Sequence, residues 1–186
     1  TATDAERRTA VRQMNRLMKG HPIPVRERLR EQLRAATADV VVPPCMLTWD
    51  ELIEMHRLGM TIGGHTLTHP NLPNAGVEDA RAELRLSKAL LEDAIGERVT
   101  MFSYPNGGAE RYMTPDIRRV VQETGYAAAA TSRNAFASPH SDVYALERIE
   151  VQEELDHLVF ALEVERFLFK PAPRTGELAA TGATAE

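Results

Sequence analysis

The sequence predicts an α/β fold whose strands run parallel and are joined by right-handed helical crossovers. Three observations predict it. Between residues 60 and 131 the apolar patterning alternates strand, loop, helix, strand, loop, helix, strand, an order that calls for parallel strands with crossover helices. The two loops with unusual chemistry, 63–70 and 104–108, each follow a strand, and the carboxyl edge of such a sheet is where sites are built. A chain of 186 residues that is 43% hydrophobic and 26% charged is ordinary globular material, enough for one domain with a real core.

The elements follow in order. Residues 4–19 read as a helix with Val11, Met14, Leu17 and Met18 on one stripe and Gly20 as its stop. His21-Pro22-Ile23-Pro24 is a break, with His21 an exposed loop residue. Residues 25–36 form a second helix, with Val25, Leu29 and Leu33 at four-residue spacing. Val40-Val41-Val42, bounded by Pro43-Pro44, is a strand or an extended connector. Thr48-Trp49-Asp50-Glu51 is a capping box that starts a helix running to about Leu58, with Leu52, Met55 and Leu58 inward. Trp49 is assigned to the core, with a groove-lining aromatic as the alternative, and His56 beside the apolar stripe is structural or surface. Met60-Thr61-Ile62 reads as the end of a strand. Residues 77–95 make the longest helix, with Leu84, Leu91 and Ile95 inward and Gly96 as stop. Residues 99–103 are a strand. Thr114-Pro115-Asp116 starts a helix with Pro115 suited to the first helical position and Gly125 just past its end. Strands follow at 126–131 and 145–149, then an amphipathic helix at about 153–169. Residues 171–186, rich in Ala, Thr, Gly and Pro, cannot pack a core and are expected to be disordered. There is no internal repeat. Only four or five strands can be found, whereas a closed (β/α) barrel takes about 250 residues; if this is a barrel, it is missing staves.

Charge and composition exclude some functions. Net charge is −5, but residues 1–36 carry nine Arg/Lys against four Asp/Glu, hence +5, leaving −10 for the remainder. The basic segment reads as the solvated face of a helix, or as a surface for an acidic partner. Overall acidity with 5% aromatics argues against nucleic acid as a partner. No run of about 18 apolar residues suggests a transmembrane segment, and the N-terminus shows no apolar secretory core. Thr1 in place of Met fits a trimmed or processed chain, a fragment, or simple Met removal. The single cysteine, Cys45, excludes an internal disulfide and reads as a buried or idle thiol.

Two loops carry chemistry. In Gly63-Gly64-His65-Thr66-Leu67-Thr68-His69-Pro70, two glycines free a sharp turn and two imidazoles follow four residues apart. Pro70 disfavours αR geometry at His69. Side chains at this spacing lie about 5–6 Å apart, close enough to share a metal. Thr66 and Thr68 are placed to orient the rings; the alternative is a pair of capping or surface histidines. A catalytic metal site takes three protein ligands plus an open position, and none of Asp39, Asp50, Asp79, Asp116 or Asp142 stands at the end of a clear strand. Tyr104-Pro105-Asn106-Gly107-Gly108 is a tight turn able to aim a backbone N–H outward, with Tyr104 offering a flat face and a hydroxyl; a plain turn is the alternative.

These residues also carry a resemblance. Trp49-Asp50-Glu51-Leu52, then Gly59 through Leu72 with His65-Thr66-Leu67-Thr68-His69-Pro70 at its centre, then Phe102-Ser103-Tyr104-Pro105-Asn106-Gly107, then Gly125-Tyr126 and Arg148-Ile149, occur in the order and rough spacing of the polysaccharide deacetylases. In that family, the NodB homology domain of carbohydrate esterase family 4, the resemblance covers about residues 46–151. It implies an incomplete or deformed (β/α) barrel of the NodB type with extra N-terminal helices. The organisation it implies is a helical leader over 1–45, a partial deacetylase domain over 46–170 and a tail over 171–186. The implied activity is metal-dependent hydrolysis of N-acetyl groups, amide but not peptide bonds, from an N-acetylated amino-sugar polysaccharide. His65 and His69 match the metal-binding histidines, with zinc the leading ion. Asn106 matches the position whose backbone N–H stabilises the oxyanion, and Tyr104 and Pro105 match the groove lining.

The departures from the family pattern are as specific as the matches. The family's Asp-Asp motif, source of the general base and third ligand, has no counterpart here. Ser103 stands where Arg is usual, and no Leu-x-His motif is evident; His140 and His157 are poor substitutes. The expectation is that the N-terminal part of the barrel, or a partner chain supplying it, lies outside this chain, which alone would be inactive. The alternative is a non-catalytic module of degenerate deacetylase fold that binds glycan or a partner.

Overall fold

The computed structural model describes residues 3–41, 43–106 and 110–149, together with residues 159, 160, 162 and 163. The chain forms two compact units, Thr1–Arg148 and Ile149–Glu186. The helix expected over 153–169 and the tail over 171–186 lie outside the described residues, except that 159, 160, 162 and 163 are helical. Every element named below belongs to the first unit.

Helix α1 spans Asp4–Gly20 and starts at a capping box that the stripe pattern did not reveal, with the Thr3 hydroxyl accepting from the Glu6 amide and the Glu6 carboxylate accepting from the Thr3 amide. Its apolar stripe is not buried: Val11 and Leu17 are exposed, and Met14 and Met18 are half-buried. Helix α2 (Ile23–Ala36) begins two residues earlier than the apolar spacing suggests. Pro24 sits in its first turn, where a missing N–H leaves no bond unmade. Helix α3 (Trp49–Arg57) carries the expected Thr48/Glu51 capping box. Trp49, however, is 54% exposed and Leu58 more so. Burial stops at Leu52, Ile53, Met55 and His56, which are half-buried; Trp49 on the first turn and Leu58 at the C-cap lie off that stripe.

A short helix α4 (Leu72–Ala75) was not anticipated, and its Leu72 is fully buried. Helix α5 (Val77–Ile95) ends as expected on Gly96, which takes the left-handed φ of 72°. Helix α6 (Pro115–Glu123) is capped by the Thr114 hydroxyl, which accepts from the Ile117 amide, and is followed by Gly125 at φ 87°.

Among the described residues the sheet has three parallel strands in the order β1 (Met101–Ser103), β2 (Ala128–Asn134), β3 (Leu146–Arg148). Register pairs Met101 with Ala128 and Ser103 with Ala130, and then Ala130 with Leu146. Parallel order is as predicted, but among the described residues the sheet is open and no barrel closes. Met60–Ile62 do not form a strand. The only pairing there is an isolated parallel bridge from Gly64 to Phe102, made by the Gly64 amide on the Met101 carbonyl at 2.9 Å and the Ser103 amide on the Gly64 carbonyl at 2.8 Å. The core lies between α5, α6 and one face of the sheet. It is built from Leu72, Leu84, Val99, Phe102, Met113, Ile117, Val120, Val121, Tyr126 and Ala129, with Leu91 and Ile95 packed at its margin. Among the described residues, no helix is long and apolar enough to cross a membrane.

Candidate metal site

The site is built on a single non-regular loop. At its start Gly64 lies so near the buried Tyr126 that a β-carbon there would fall 2.2 Å from the Tyr126 hydroxyl oxygen. Only glycine fits. The loop then holds two β-carbon-bearing residues in left-handed backbone, Thr66 at φ 66° and His69 at φ 57°. The avoidance of αR geometry expected from Pro70 is met by this unusual route. Together these turns bring the His65 and His69 rings edge to face, with centroids 5.0 Å apart and planes at 74°.

Each ring has a defined neighbourhood. His65 Nδ1 lies 2.7 Å from the Ser103 carbonyl oxygen at the end of β1. A carbonyl can only accept, so Nδ1 carries the proton and Nε2 keeps its lone pair. The Thr66 hydroxyl accepts from the His69 amide at 3.1 Å. Burial, and next the neighbouring His65, hold the His69 imidazole below its ordinary pKa of 6.5. Its neutral, ligating form is thereby favoured.

The loop is gripped from two helices. On α5, Glu83 accepts from the Leu67 and Thr68 amides, both at 2.8 Å, and from the Thr68 hydroxyl at 2.6 Å. On α2, Arg26 donates through Nη2 to the carbonyls of Thr68 (3.0 Å) and His69 (2.9 Å), and Arg30 donates to Thr68 O at 2.9 Å. Sequence reasoning found none of these three. A charged residue on a helix reads as solvated, and the signal that betrays them is their position on faces that must pack.

The second loop sits beside the first. Asn106 is buried, and its amide nitrogen donates to the Pro70 carbonyl at 2.8 Å, tying the two loops together. Pro105 is half-buried. Tyr104 corrects the expectation of a groove-lining side chain: it is 2% exposed, edge-on to Phe102 in the core, and its hydroxyl donates to the Tyr144 carbonyl at 2.9 Å. The alternation of β1 turns Phe102 and the residue two further on to the same side, so the ring follows the core. Burial pushes its phenol well above the usual value.

Two imidazoles sharing one tetrahedral ion at about 2.1 Å would have ring centroids about 5.2 Å apart, close to the observed 5.0 Å. That separation suits a shared ion, and it also suits plain edge-to-face packing. Among the described residues, no group of three His, Cys, Asp or Glu side chains gathers as a metal site. His140 lies elsewhere, lining a cleft of about 390 Å³ with Arg118, Arg133, Asp142 and Glu147. Charges there are already paired, Arg118 with Asp142 at 2.8 Å and Arg133 with Glu147 at 3.3 Å. His157 is outside the described residues.

Residues 13–129 match the polysaccharide deacetylase family model. The chain belongs to the polysaccharide deacetylase family. The match begins inside α1, so it takes in α2 as well as both loops. Among curated proteins, the chain is 29% identical over 119 residues to YxkH of Bacillus subtilis, provisionally named a polysaccharide deacetylase. That alignment covers 64% of this chain and 41% of YxkH. Among solved structures, it resembles the Streptococcus pyogenes deacetylase PplD in complex with acetate, with TM-score 0.56 and 23% identity over 62% of this chain and 50% of PplD. It also resembles BC0361, a polysaccharide deacetylase from Bacillus cereus, with TM-score 0.54 and 21% identity over 62% of this chain and 36% of that one. These likenesses support the fold. The chain spans about half or less of the length of each of these relatives.

Proposed function

We propose that this polysaccharide deacetylase domain carries part of a metal-dependent site for removing N-acetyl groups from an amino-sugar polysaccharide. The observation that supports the reading is the His65/His69 pair, whose ring separation suits a shared ion and whose loop is braced from two helices. When bound, the ion, with zinc the leading choice, would polarise the acetamide carbonyl and lower the pKa of water. The chain's own residues prepare that event. Ser103 O fixes the His65 tautomer with Nε2 free. Burial favours the unprotonated His69 ring. The Asn106 side chain holds Pro70, so the Asn106 backbone N–H has a fixed position from which to meet an oxyanion. Pro105 is the residue left to border the sugar.

Among the described residues no third side chain gathers with His65 and His69 as a metal site; we propose that a preceding barrel segment or a partner chain supplies the third ligand and the general base. The isolated chain is then inactive or nearly so. The lack of a third ligand among the described residues also favours a second reading, a degenerate domain that binds N-acetylated glycan without turnover. An acetate-release assay separates these outcomes, using chitin oligomers, peptidoglycan and poly-N-acetylglucosamine with added Zn²⁺. Our reading expects no release from this chain and release once a segment or partner carrying the missing carboxylates is joined to it. Robust turnover by the chain alone would overturn the partial-site reading, and silence from the completed protein would favour the glycan-binding one.

A further inference from the structure

Left-handed backbone at a residue with a β-carbon is strained and persists only where its surroundings over-determine it. Thr66 and His69 both adopt it, within a loop that has no regular secondary structure of its own. The surroundings that impose it are two buried charged side chains from different helices. Glu83, 5% exposed, takes the N–H groups of Leu67 and Thr68. Arg26, 4% exposed, takes the C=O groups of Thr68 and His69. The loop's donors are held from α5 and its acceptors from α2.

We propose that Arg26 is a positioning residue for the His65/His69 pair, acting with Glu83 as a clamp that imposes the left-handed turn at His69 and so sets the spacing of the two rings. The consequence for metal rests on the functional reading above; the clamp itself does not.

The shape of the guanidinium explains the choice of residue. One nitrogen, Nη2, bridges two successive carbonyls while the rest of the planar group stays against protein. A lysine ammonium is a compact and strongly hydrated point charge, poorly suited to that buried position. Arg26 is also a poor residue for stability alone. Its Nε and Nη1 are buried with no hydrogen-bond partner among the described residues, and an unsatisfied buried donor is costly. Removing Arg26 alone leaves the His69 carbonyl without its donor and the buried Glu83 carboxylate without a neighbouring positive charge, so it should also lower stability. A purely structural arginine would lower stability and leave the metal affinity of the folded protein unchanged, so the two properties are read separately.

The test uses the full chain with Arg26→Met and Arg26→Lys. Two quantities are read: Zn²⁺ affinity, by competition with a chromophoric chelator, and hydrogen exchange of the Leu67 and Thr68 amides in metal-free protein. Arg26→Met is expected to melt cooperatively at a lower midpoint, to bind Zn²⁺ about 10–100-fold more weakly while folded, and to exchange those two amides at least several-fold faster. Arg26→Lys should not rescue either property. Unchanged affinity and unchanged exchange in a folded Arg26→Met protein would overturn the proposal. Should Arg26→Met fail to fold, Arg30→Met removes the other donor to Thr68 O from a partly exposed side chain. The same two changes, smaller, are then expected, and their absence is fatal to the clamp. If the wild type binds no Zn²⁺, the functional reading fails and the exchange of Leu67 and Thr68 alone decides the clamp.

Discussion

Replacing Gly64 by alanine is the most sharply defined perturbation the structure offers. The new β-carbon would lie 2.2 Å from the Tyr126 hydroxyl oxygen, 2.9 Å from Cζ and 3.1 Å from Cε1. Tyr126 cannot swing away. It is 1% exposed, with Phe102 at 5.1 Å on one side and the Lys88 ammonium over its ring. Gly64 cannot retreat either, because its amide and carbonyl both bond to β1. Overpacking a close-packed core costs about 1–3 kcal/mol, and so short an approach puts Gly64→Ala at the upper end, about 3 kcal/mol. For a chain of this size that is a fall in melting temperature of about 6–12 °C, read by calorimetry or circular dichroism. The hydroxyl is expendable. It is buried with no hydrogen-bond partner among the described residues. Adding Tyr126→Phe should therefore restore part of the loss, the ring carbons still being close. Gly63→Ala is the internal control: its β-carbon would meet Met101 O at 3.2 Å, a contact that small shifts relieve. A Gly64→Ala protein that melts within a degree of wild type, or a Gly64→Ala/Tyr126→Phe protein less stable than Gly64→Ala alone, would refute the clash.

Two further outcomes follow from the same packing. Tyr104→Phe leaves the Tyr144 carbonyl without its phenolic donor and should cost about 1–2 kcal/mol with no change in metal affinity; a large affinity change in a stable Tyr104→Phe protein would return Tyr104 to the site. His69 has its folded-state pKa held below 6.5, so between the two values the unfolded chain binds more protons and stability rises with pH. The His69 contribution is thus complete above about pH 6.5 and is lost as pH falls toward the folded value. Urea midpoints measured across that range should slope less for His69→Gln than for wild type, and parallel slopes would show that the ring gains no such environment.

Much of this was legible in the sequence because the informative residues act locally. The Thr48/Glu51 box, Pro115 and the Gly96 and Gly125 stops each do their work within one turn, and the structure places them as read. The parallel order followed from alternation alone. What was not legible depends on tertiary context. Met60–Ile62 have the pattern of a strand, but pairing reaches β1 only at Gly64. Trp49 looked like core by type, and its place on the first turn of α3 leaves it outside. Tyr104 looked like a ligand contact because loops after strands often are, yet strand alternation carries its ring inward. Glu83 and Arg26 were invisible because their partners are backbone atoms 15 to 43 residues away, and no spacing rule links a helix surface to the main chain of a distant loop.

Metal binding by the chain itself tests the central claim most directly. Equilibrium dialysis against Zn²⁺ or Co²⁺, with cobalt absorption reporting the ligand set, should give one weakly held ion per chain. His65→Ala and His69→Ala should each abolish it or weaken it at least tenfold while leaving the melting transition cooperative. A wild-type chain that takes up no ion, or variants that bind as the wild type does, would contradict the assignment of His65 and His69 as ligands.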